Sequence, residues 1–267
     1  MNKFGLIGKN IEYSKSKIIH ETISKKLNHN LNYEIISLKK DEDVILYLNK
    51  LRNKEYQGFN VTIPYKEVIM NHLDIVSDKA QKIGAVNTVY EKDGLLIGTN
   101  TDYDGFKLFL EIREIEINDK NILILGSGGA SKAIYNVFKD KGIIPVVASI
   151  EPKINYPFKK IIKWNLIDKS YDIYVNATPV GTYPNINESP IDINLIKDKV
   201  VLDVIYNPKT TKLMKNAKIS YNGYDMLIIQ AIKAQLIWFN NDLVINSNLV
   251  DEIKEKLKWI VLEHYLK

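Results

Sequence analysis

Residues 121–149 constrain the fold more than any other stretch. Asn121-Ile122-Leu123-Ile124-Leu125 is an apolar run suited to a strand covered on both faces. It enters Gly126-Ser127-Gly128-Gly129-Ala130, followed by a helical segment from Ser131 to Lys141 and a second apolar strand, Ile143 to Ser149. Strand, glycine-rich turn, helix and strand form a βαβ unit, which predicts a parallel sheet with helices on its faces. Glycines allow a backbone to approach a pyrophosphate, and the free N–H groups of a helix N-terminus favour its charge. The pattern G-x-G-G-A falls short of the full six-residue fingerprint, so by itself it fits a nucleotide site and a tight turn equally well. Further strands at Asp172 to Asn176 and Val200 to Val204 are what a Rossmann-type domain requires.

The N-terminal half alternates in the same way. A strand at Phe4 to Gly8, a polar loop, and a helix with apolar Ile18, Ile19, Ile23 and Leu27 are followed by a strand at Tyr33 to Leu38 and a helix at Val44 to Leu51. Phe59, Val61 and Ile63 then alternate with Asn60 and Thr62, the period of a strand with one buried face, which Pro64 ends. A helix over Val76 to Ile83 precedes a hairpin turning at Asp93-Gly94, whose second strand runs into Asn100-Thr101-Asp102. Helices follow at Tyr103 to Arg113 and, in the tail, at Tyr224 to Phe239 and Leu249 to Leu266. This order predicts an α/β protein whose first sheet is largely parallel.

Pro64 suits the first turn of a helix, which places Lys66 near a helix N-terminus, an unfavourable end for a cation. Lys66 is therefore either a solvated surface residue or a lysine held by a carboxylate, for which Asp102 is the candidate.

Composition excludes several classes. The chain has no cysteine, so disulfides, thiolate nucleophiles and Cys-based metal sites are absent. His20, His29, His72 and His264 show no ligand spacing, and no metal is expected. A net charge of +5 with scattered lysines is no nucleic-acid footprint, although it suits anionic small molecules. No run of eighteen apolar residues exists and the N-terminus lacks a signal-peptide core, which leads to the expectation of a cytoplasmic protein with no membrane partner.

Eight stretches in order resemble the shikimate dehydrogenase family over nearly the whole chain. They are Ser14-Lys15-Ser16, Asn60 to Lys66, Gly84 to Thr88, Asn100-Thr101-Asp102, Gly126 to Ala130, Asn176 to Gly181, Asp203 to Pro208, and Gly223 to Ala231. The resemblance implies two α/β domains with a cleft between them: a mainly parallel substrate domain of residues 1–102 plus 231–267, and a Rossmann-type dinucleotide-binding domain of residues 103–230. It implies reversible reduction of 3-dehydroshikimate to shikimate in the aromatic amino acid (chorismate) pathway, usually with NADP, by a monomer or homodimer. By position, Ser14 and Ser16 would hold the substrate carboxylate, while Thr62, Asn87 and Gln230 would surround the ring with Lys66 and Asp102. Lys66 and Asp102 would form the catalytic pair, the lysine protonating the oxygen that hydride arrival makes basic. The cofactor would contact Gly126, Ser127, Gly128, Gly129, Ala130, Thr178, Gly181, Val204, Tyr206, Gly223 and Met226.

Each of these has a plainer reading. Ser16 also suits an N-cap, Thr62 and Asn87 exposed strand positions, and Gln230 a surface helix position. Tyr206 and Met226 suit packing near the nicotinamide rather than chemistry, and Trp238 and Trp259 suit the core. The chain also departs from the family pattern. Tyr13 and Lys17 replace a usual histidine and proline around the two serines, Asn10 replaces an upstream proline, and Asp225 stands where a second glycine is common, with no evident role. Where NADP-using members carry an arginine, this chain has Glu151, about 25 residues beyond Gly126, the spacing at which an acidic residue binds the ribose 2′-OH of NAD and repels a 2′-phosphate. Glu151 thus raises NAD as a cofactor, unless it is an exposed loop residue or Lys153 restores phosphate binding. An NAD-using quinate/shikimate dehydrogenase and a non-catalytic binding paralogue are the alternatives.

Overall fold

The computed structural model describes residues 2–152 and 156–265, with side chains as far as residue 258. Lys153 and the side chain of Trp259 lie outside that description. The chain divides into two compact units, Met1–Gly105 with Ile228–Lys267, and Phe106–Leu227.

The first unit runs β1 (Asn2–Gly8), α1 (Ser16–Leu27), β2 (Leu31–Ser37), α2 (Asp43–Arg52), β3 (Gly58–Val61), α3 (Tyr65–Val68), β4 (Ile75–Val76), α4 (Asp78–Ile83), β5 (Thr88–Lys92), β6 (Leu95–Thr99) and the start of α5 (Thr101–Ile112). Its six-stranded sheet has the order β2-β1-β3-β5-β6-β4. Only β5 runs against its neighbours; the pairs β1–β2, β1–β3 and β4–β6 are parallel. The reversal has a positional consequence. The first residue of β5 comes to the edge where β1, β3 and β6 end, with Ile7 opposite Val61, Asn60 opposite Thr88, and Thr88 opposite Thr99.

Both faces of this sheet are covered. One carries Ile7, Phe59 and Val61 against Val44, Leu48 and Leu51 of α2. The other carries Phe4, Leu6 and Tyr33, with Trp238 stacked on Phe4 at 4.7 Å between ring centroids. Side chains as fully buried as Phe4, Phe59 and Tyr33 each contribute about 1.5–3 kcal/mol of apolar burial. The expected one-faced strand is therefore corrected: all four residues of β3 are buried, Asn60 included, because the second face lies under Tyr33 and Trp238.

The second unit runs β7 (Ile122–Leu125), α6 (Gly129–Asp140), β8 (Val146–Ser149), β9 (Ile161–Lys163), β10 (Ile173–Asn176), β11 (Val200–Asp203), α7 (Lys212–Lys215) and β12 (Ile219–Asn222), and continues into α8 (Tyr224–Trp238). The last helix, α9 (Ser247–Tyr265), belongs to the first unit. All pairings in the second sheet are parallel, in the order β12-β11-β10-β7-β8-β9. Strands one to six of this unit thus lie in the order 3-2-1-4-5-6 that defines the doubly wound Rossmann-type fold. The fold is α/β with two sheets, as the alternation of elements predicts.

Several boundaries shift for local reasons. The helix expected from Val76 begins at Asp78, because Ser77 accepts from the Ala80 N–H as N-cap and Val76 is taken into β4. Thr101 and Asp102 are helical rather than the end of the hairpin strand. The strand expected from Ile143 begins at Val146. Lys15, not Ser16, is the N-cap of α1. Among the described residues no helix is long and apolar enough to cross a membrane.

Candidate active site

Lys66 and Asp102 meet at the carboxyl edge of the first sheet. The lysine Nζ donates to Asp102 Oδ2 at 2.6 Å, and the two side chains are 15% and 11% exposed. The solvated-lysine reading is thereby overturned. Lys66 stands on α3, directly beyond β3, and its carbonyl accepts from the Val86 N–H at 2.7 Å. Asp102 is set by a cap. Asn100 Oδ1 accepts from the Tyr103 N–H at 3.1 Å, while its Nδ2 donates to the Ala85 carbonyl at 2.9 Å. That starts α5 at Thr101 and puts Asp102 in the first turn, where the helix dipole favours a carboxylate.

Asn87 is held just as firmly. Its Oδ1 accepts from the Thr101 N–H at 2.7 Å, from Thr101 Oγ1 at 3.2 Å and from Thr88 Oγ1 at 3.0 Å. With the oxygen saturated, the amide orientation is determined, leaving the Nδ2 donors for other acceptors. Asn87 is 2% exposed, which excludes the exposed-strand reading. Thr62 is half-buried, its N–H bonded to the Ile7 carbonyl at 2.9 Å and its own carbonyl accepting from the Tyr65 N–H at 2.9 Å. Ser14 and Ser16 are half-buried on the loop that leaves β1 at the same edge, and the Ser14 hydroxyl donates to Ser16 Oγ at 3.0 Å. Lys17 is exposed and faces Glu21 at 3.9 Å. Gln230 is half-buried on α8. The sheet topology thus brings Ser14, Ser16, Thr62, Lys66, Asn87 and Asp102 to one edge, whereas Gln230 comes from a helix.

A buried polar layer beneath these residues carries no signal in the strand pattern. Tyr33 donates to Asn60 Oδ1 at 2.8 Å, and Asn60 Nδ2 donates to the Asn87 carbonyl at 3.3 Å and to Thr88 Oγ1 at 3.2 Å. His20 stacks on Tyr33 at 4.2 Å between centroids, and its carbonyl accepts from Gln235 Nε2 at 2.7 Å. Burial pushes the His20 imidazole down to about 3, against a smaller opposing hydrogen bond from Asn60.

The second unit presents a different edge. Gly126 has φ +100°, and a Cβ there would lie 3.0 Å from Thr178 Cγ2, so the turn after β7 abuts the turn after β10 at the point where the strand order reverses. Thr178 is locked by its N–H and hydroxyl, both donating to Asn176 Oδ1, at 3.1 and 2.7 Å. Gly128 is the N-cap of α6 with no side-chain cap, and a Cβ there would meet nothing within 4 Å. Gly129 and Ala130 open the helix, and the Ser131 hydroxyl in the same turn is buried without a partner. Open space at a helix N-terminus with no acidic residue in its first turn fits a pyrophosphate. Ser127 Oγ lies 3.1 Å from Ser149 Oγ, which donates to the Glu151 carbonyl at 3.2 Å, so the Glu151 loop is tied to the glycine-rich turn. The residue itself is exposed.

Gly181 has φ +98°, and Val204 donates its N–H to the Asn176 carbonyl at 3.0 Å. Tyr206 is half-buried beyond β11. Met226 lines a cavity of about 10 Å³ with Phe106, Phe109, Asp203, Val204 and Gly223. Asp203 is buried where β11 ends, accepting from Thr211 Oγ1 at 2.7 Å and Asn176 Nδ2 at 3.0 Å, and desolvation raises its carboxyl to about 6. Asp225, without evident role in the sequence, pairs with Arg113, whose Nε donates to Asp225 Oδ2 at 2.7 Å. Gly223 packs against backbone: a Cβ there would fall 1.9 Å from the Val204 carbonyl oxygen. Gly223→Ala is therefore expected to cost at least the 1–3 kcal/mol typical of overpacking, read as a lower urea midpoint; an unchanged midpoint would mean that the contact is relaxed at no cost.

Comparisons with known proteins point to one family. The model of the shikimate dehydrogenase substrate binding domain matches residues 6–89. A shikimate dehydrogenase (NADP(+)) of Clostridium botulinum is 42% identical over 252 residues, covering 90% of this chain and 97% of that protein. The crystal structure of shikimate dehydrogenase 1 from Peptoclostridium difficile superposes with a TM-score of 0.87 at 36% identity, covering 97% of this chain and 98% of the other. A shikimate 5-dehydrogenase from Listeria monocytogenes, solved in complex with shikimate and NAD, gives a TM-score of 0.81 at 27% identity and covers 96% of both chains. The class defined by a doubly wound unit joined to a second α/β unit is that of the two-unit dehydrogenases. Within it, this chain belongs to the shikimate dehydrogenase family.

Proposed function

We propose that this protein interconverts 3-dehydroshikimate and shikimate, with the first unit binding the substrate and the second the dinucleotide. The observation that carries the reading is the Lys66–Asp102 pair, 2.6 Å apart and little exposed, at the sheet edge that also holds Asn87, Thr62 and the two serines. When bound, the dinucleotide supplies hydride to the carbonyl carbon. The chain's own residues deal with the oxygen. Lys66 Nζ donates a proton to it and stabilises its developing charge, while Asp102 orients the ammonium and balances its charge. In the reverse direction the same lysine accepts the hydroxyl proton. The free Asn87 donors and the Thr62 hydroxyl suit the ring oxygens, and the Ser14 and Ser16 hydroxyls suit the substrate carboxylate.

NADP is the cofactor by likeness to the Clostridium botulinum enzyme, whose name specifies it. Glu151 favours NAD as a second cofactor, because an exposed carboxylate beside the glycine-rich turn repels a 2′-phosphate. Repulsion at an exposed site is worth about 1 kcal/mol, roughly fivefold in affinity. Oxidation of shikimate and of quinate, each with NADP and NAD, tests both points. Shikimate is expected to turn over faster than quinate, and Glu151→Gln to raise kcat/KM for NADP about fivefold without a matching change for NAD. Absence of shikimate oxidation with either cofactor would refute the function, and equal response of the two cofactors to Glu151→Gln would refute the role of that residue.

A further inference from the structure

We infer that Arg113 is a positioning residue that binds and cancels the charge of Asp225 where the nicotinamide end of the dinucleotide lies, and so sets the balance between oxidised and reduced cofactor. The inference rests on the dinucleotide reading of the second unit. A doubly wound sheet consists of two mononucleotide-binding halves that meet where the strand order reverses, and ligands lie beyond the carboxyl ends of the strands. Here the first half is β7-β8-β9, with the glycine-rich turn and the Glu151 loop at its edge. The second mononucleotide, which carries the nicotinamide, then falls beyond β10, β11 and β12. The last of these ends at Asn222, and Gly223 follows, pressed onto the Val204 carbonyl just past the end of β11.

Asp225 comes next in this edge, in the first turn of α8, where the helix dipole suits a carboxylate. Its side chain is 7% exposed. A little-hydrated carboxylate near a nicotinamide ring distinguishes the two redox states, since the ring is cationic when oxidised and neutral when reduced. Left alone, it would hold the oxidised form more tightly and tilt the enzyme toward one direction of reaction. Arg113, one residue beyond α5, prevents this by donating from Nε to Asp225 Oδ2 at 2.7 Å, from a side chain that is itself 24% exposed. Guanidinium is the cation best suited to such a site, because it keeps its charge and is weakly hydrated. A carboxylate in the place of a glycine is thus accommodated by a partner 112 residues away.

The test is equilibrium binding of NADP+ and NADPH to the parent, Arg113→Met, Asp225→Asn and the double variant, with thermal melts alongside. Arg113→Met is expected to shift the ratio of the two dissociation constants about tenfold toward NADP+, and Asp225→Asn to shift it toward NADPH by removing the negative charge beside the arginine. The double variant is expected to return to the parent ratio within about threefold. A merely structural pair would lower the melting temperature and weaken both forms alike, and that result, or a ratio unmoved in both single variants, would overturn the inference. Should Arg113→Met fail to fold, the direction of the Asp225→Asn shift decides alone. A parent that binds both forms without oxidising shikimate would refute the proposed function while leaving this balance to be judged on binding; a parent that binds neither form would overturn the inference.

Discussion

Lys66→Ala is expected to lower kcat for shikimate oxidation by about 10²–10⁴-fold, the range for loss of a general acid–base group. The KM for shikimate should change far less, since the residues proposed to bind the substrate, Asn87, Thr62 and the two serines, remain. Asp102→Asn should reduce kcat in the same manner. Its amide can still accept a hydrogen bond from Lys66 but lacks the carboxylate charge that balances the ammonium formed when the lysine takes the hydroxyl proton. Because both residues act through one proton, the double variant should be hardly slower than the worse of the single ones. Parent and variants should melt together closely enough for kcat to be compared. If each single variant kept kcat within a factor of about three of the parent, the pair would be structural and the acid would have to be sought elsewhere.

The second large effect is on stability and comes from His20. Its folded-state pKa of about 3 lies below the ordinary 6.5, so the unfolded chain binds a proton that the folded chain refuses. The neutral imidazole's contribution is complete above pH 6.5 and is lost as the pH falls from there toward 3. Between pH 7 and 5 the loss amounts to about 2 kcal/mol, at 1.36 kcal/mol for each unit below 6.5. Asp203 acts with the opposite sign. Its carboxyl is raised from 3.8 to about 6, so its contribution is complete below 3.8 and disappears as the pH rises through 6. Urea denaturation of the parent alone would record the two together. His20→Phe, which retains a ring against Tyr33, isolates the first: the parent should lose about 2 kcal/mol more than the variant between pH 7 and 5. Parallel pH profiles for the two proteins would show that His20 is protonated in the folded state.

The fold was legible where periodicity and turn chemistry agree. The run into Gly126, the hairpin at Asp93-Gly94 and the tail helix from Tyr224 all stand where the sequence places them. Of the four edge strands only β2 was legible, because β4, β9 and β12 are only two to four residues long and depend on a neighbouring strand for their hydrogen bonds. Asn60 shows a second limit. Alternation reports which face a side chain points to, but not whether that face is covered, and here Tyr33 and Trp238 cover it. In the candidate site, Lys66 and Asp102 could be proposed as partners because the motifs around them narrow the choice. Asn100 as the cap that aims Asp102, and Arg113 as the partner of Asp225, could not, since each depends on contacts between distant segments.

The division of the chain has a consequence for how such an enzyme can change. Gly126 and Glu151 lie in one uninterrupted stretch, Phe106–Leu227, while Lys66 and Asp102 lie outside it, in the segment before Gly105. The stretch begins within α5 and ends within α8, so it is a cassette with two helical junctions. Recombination at those junctions would exchange the proposed determinants of dinucleotide choice as a single inheritance. The Lys66–Asp102 pair would be transmitted separately, with its capping residues and the polar layer beneath it. On the roles proposed above, preference for a phosphate on the ribose can therefore drift in a lineage while Lys66 and Asp102 are kept.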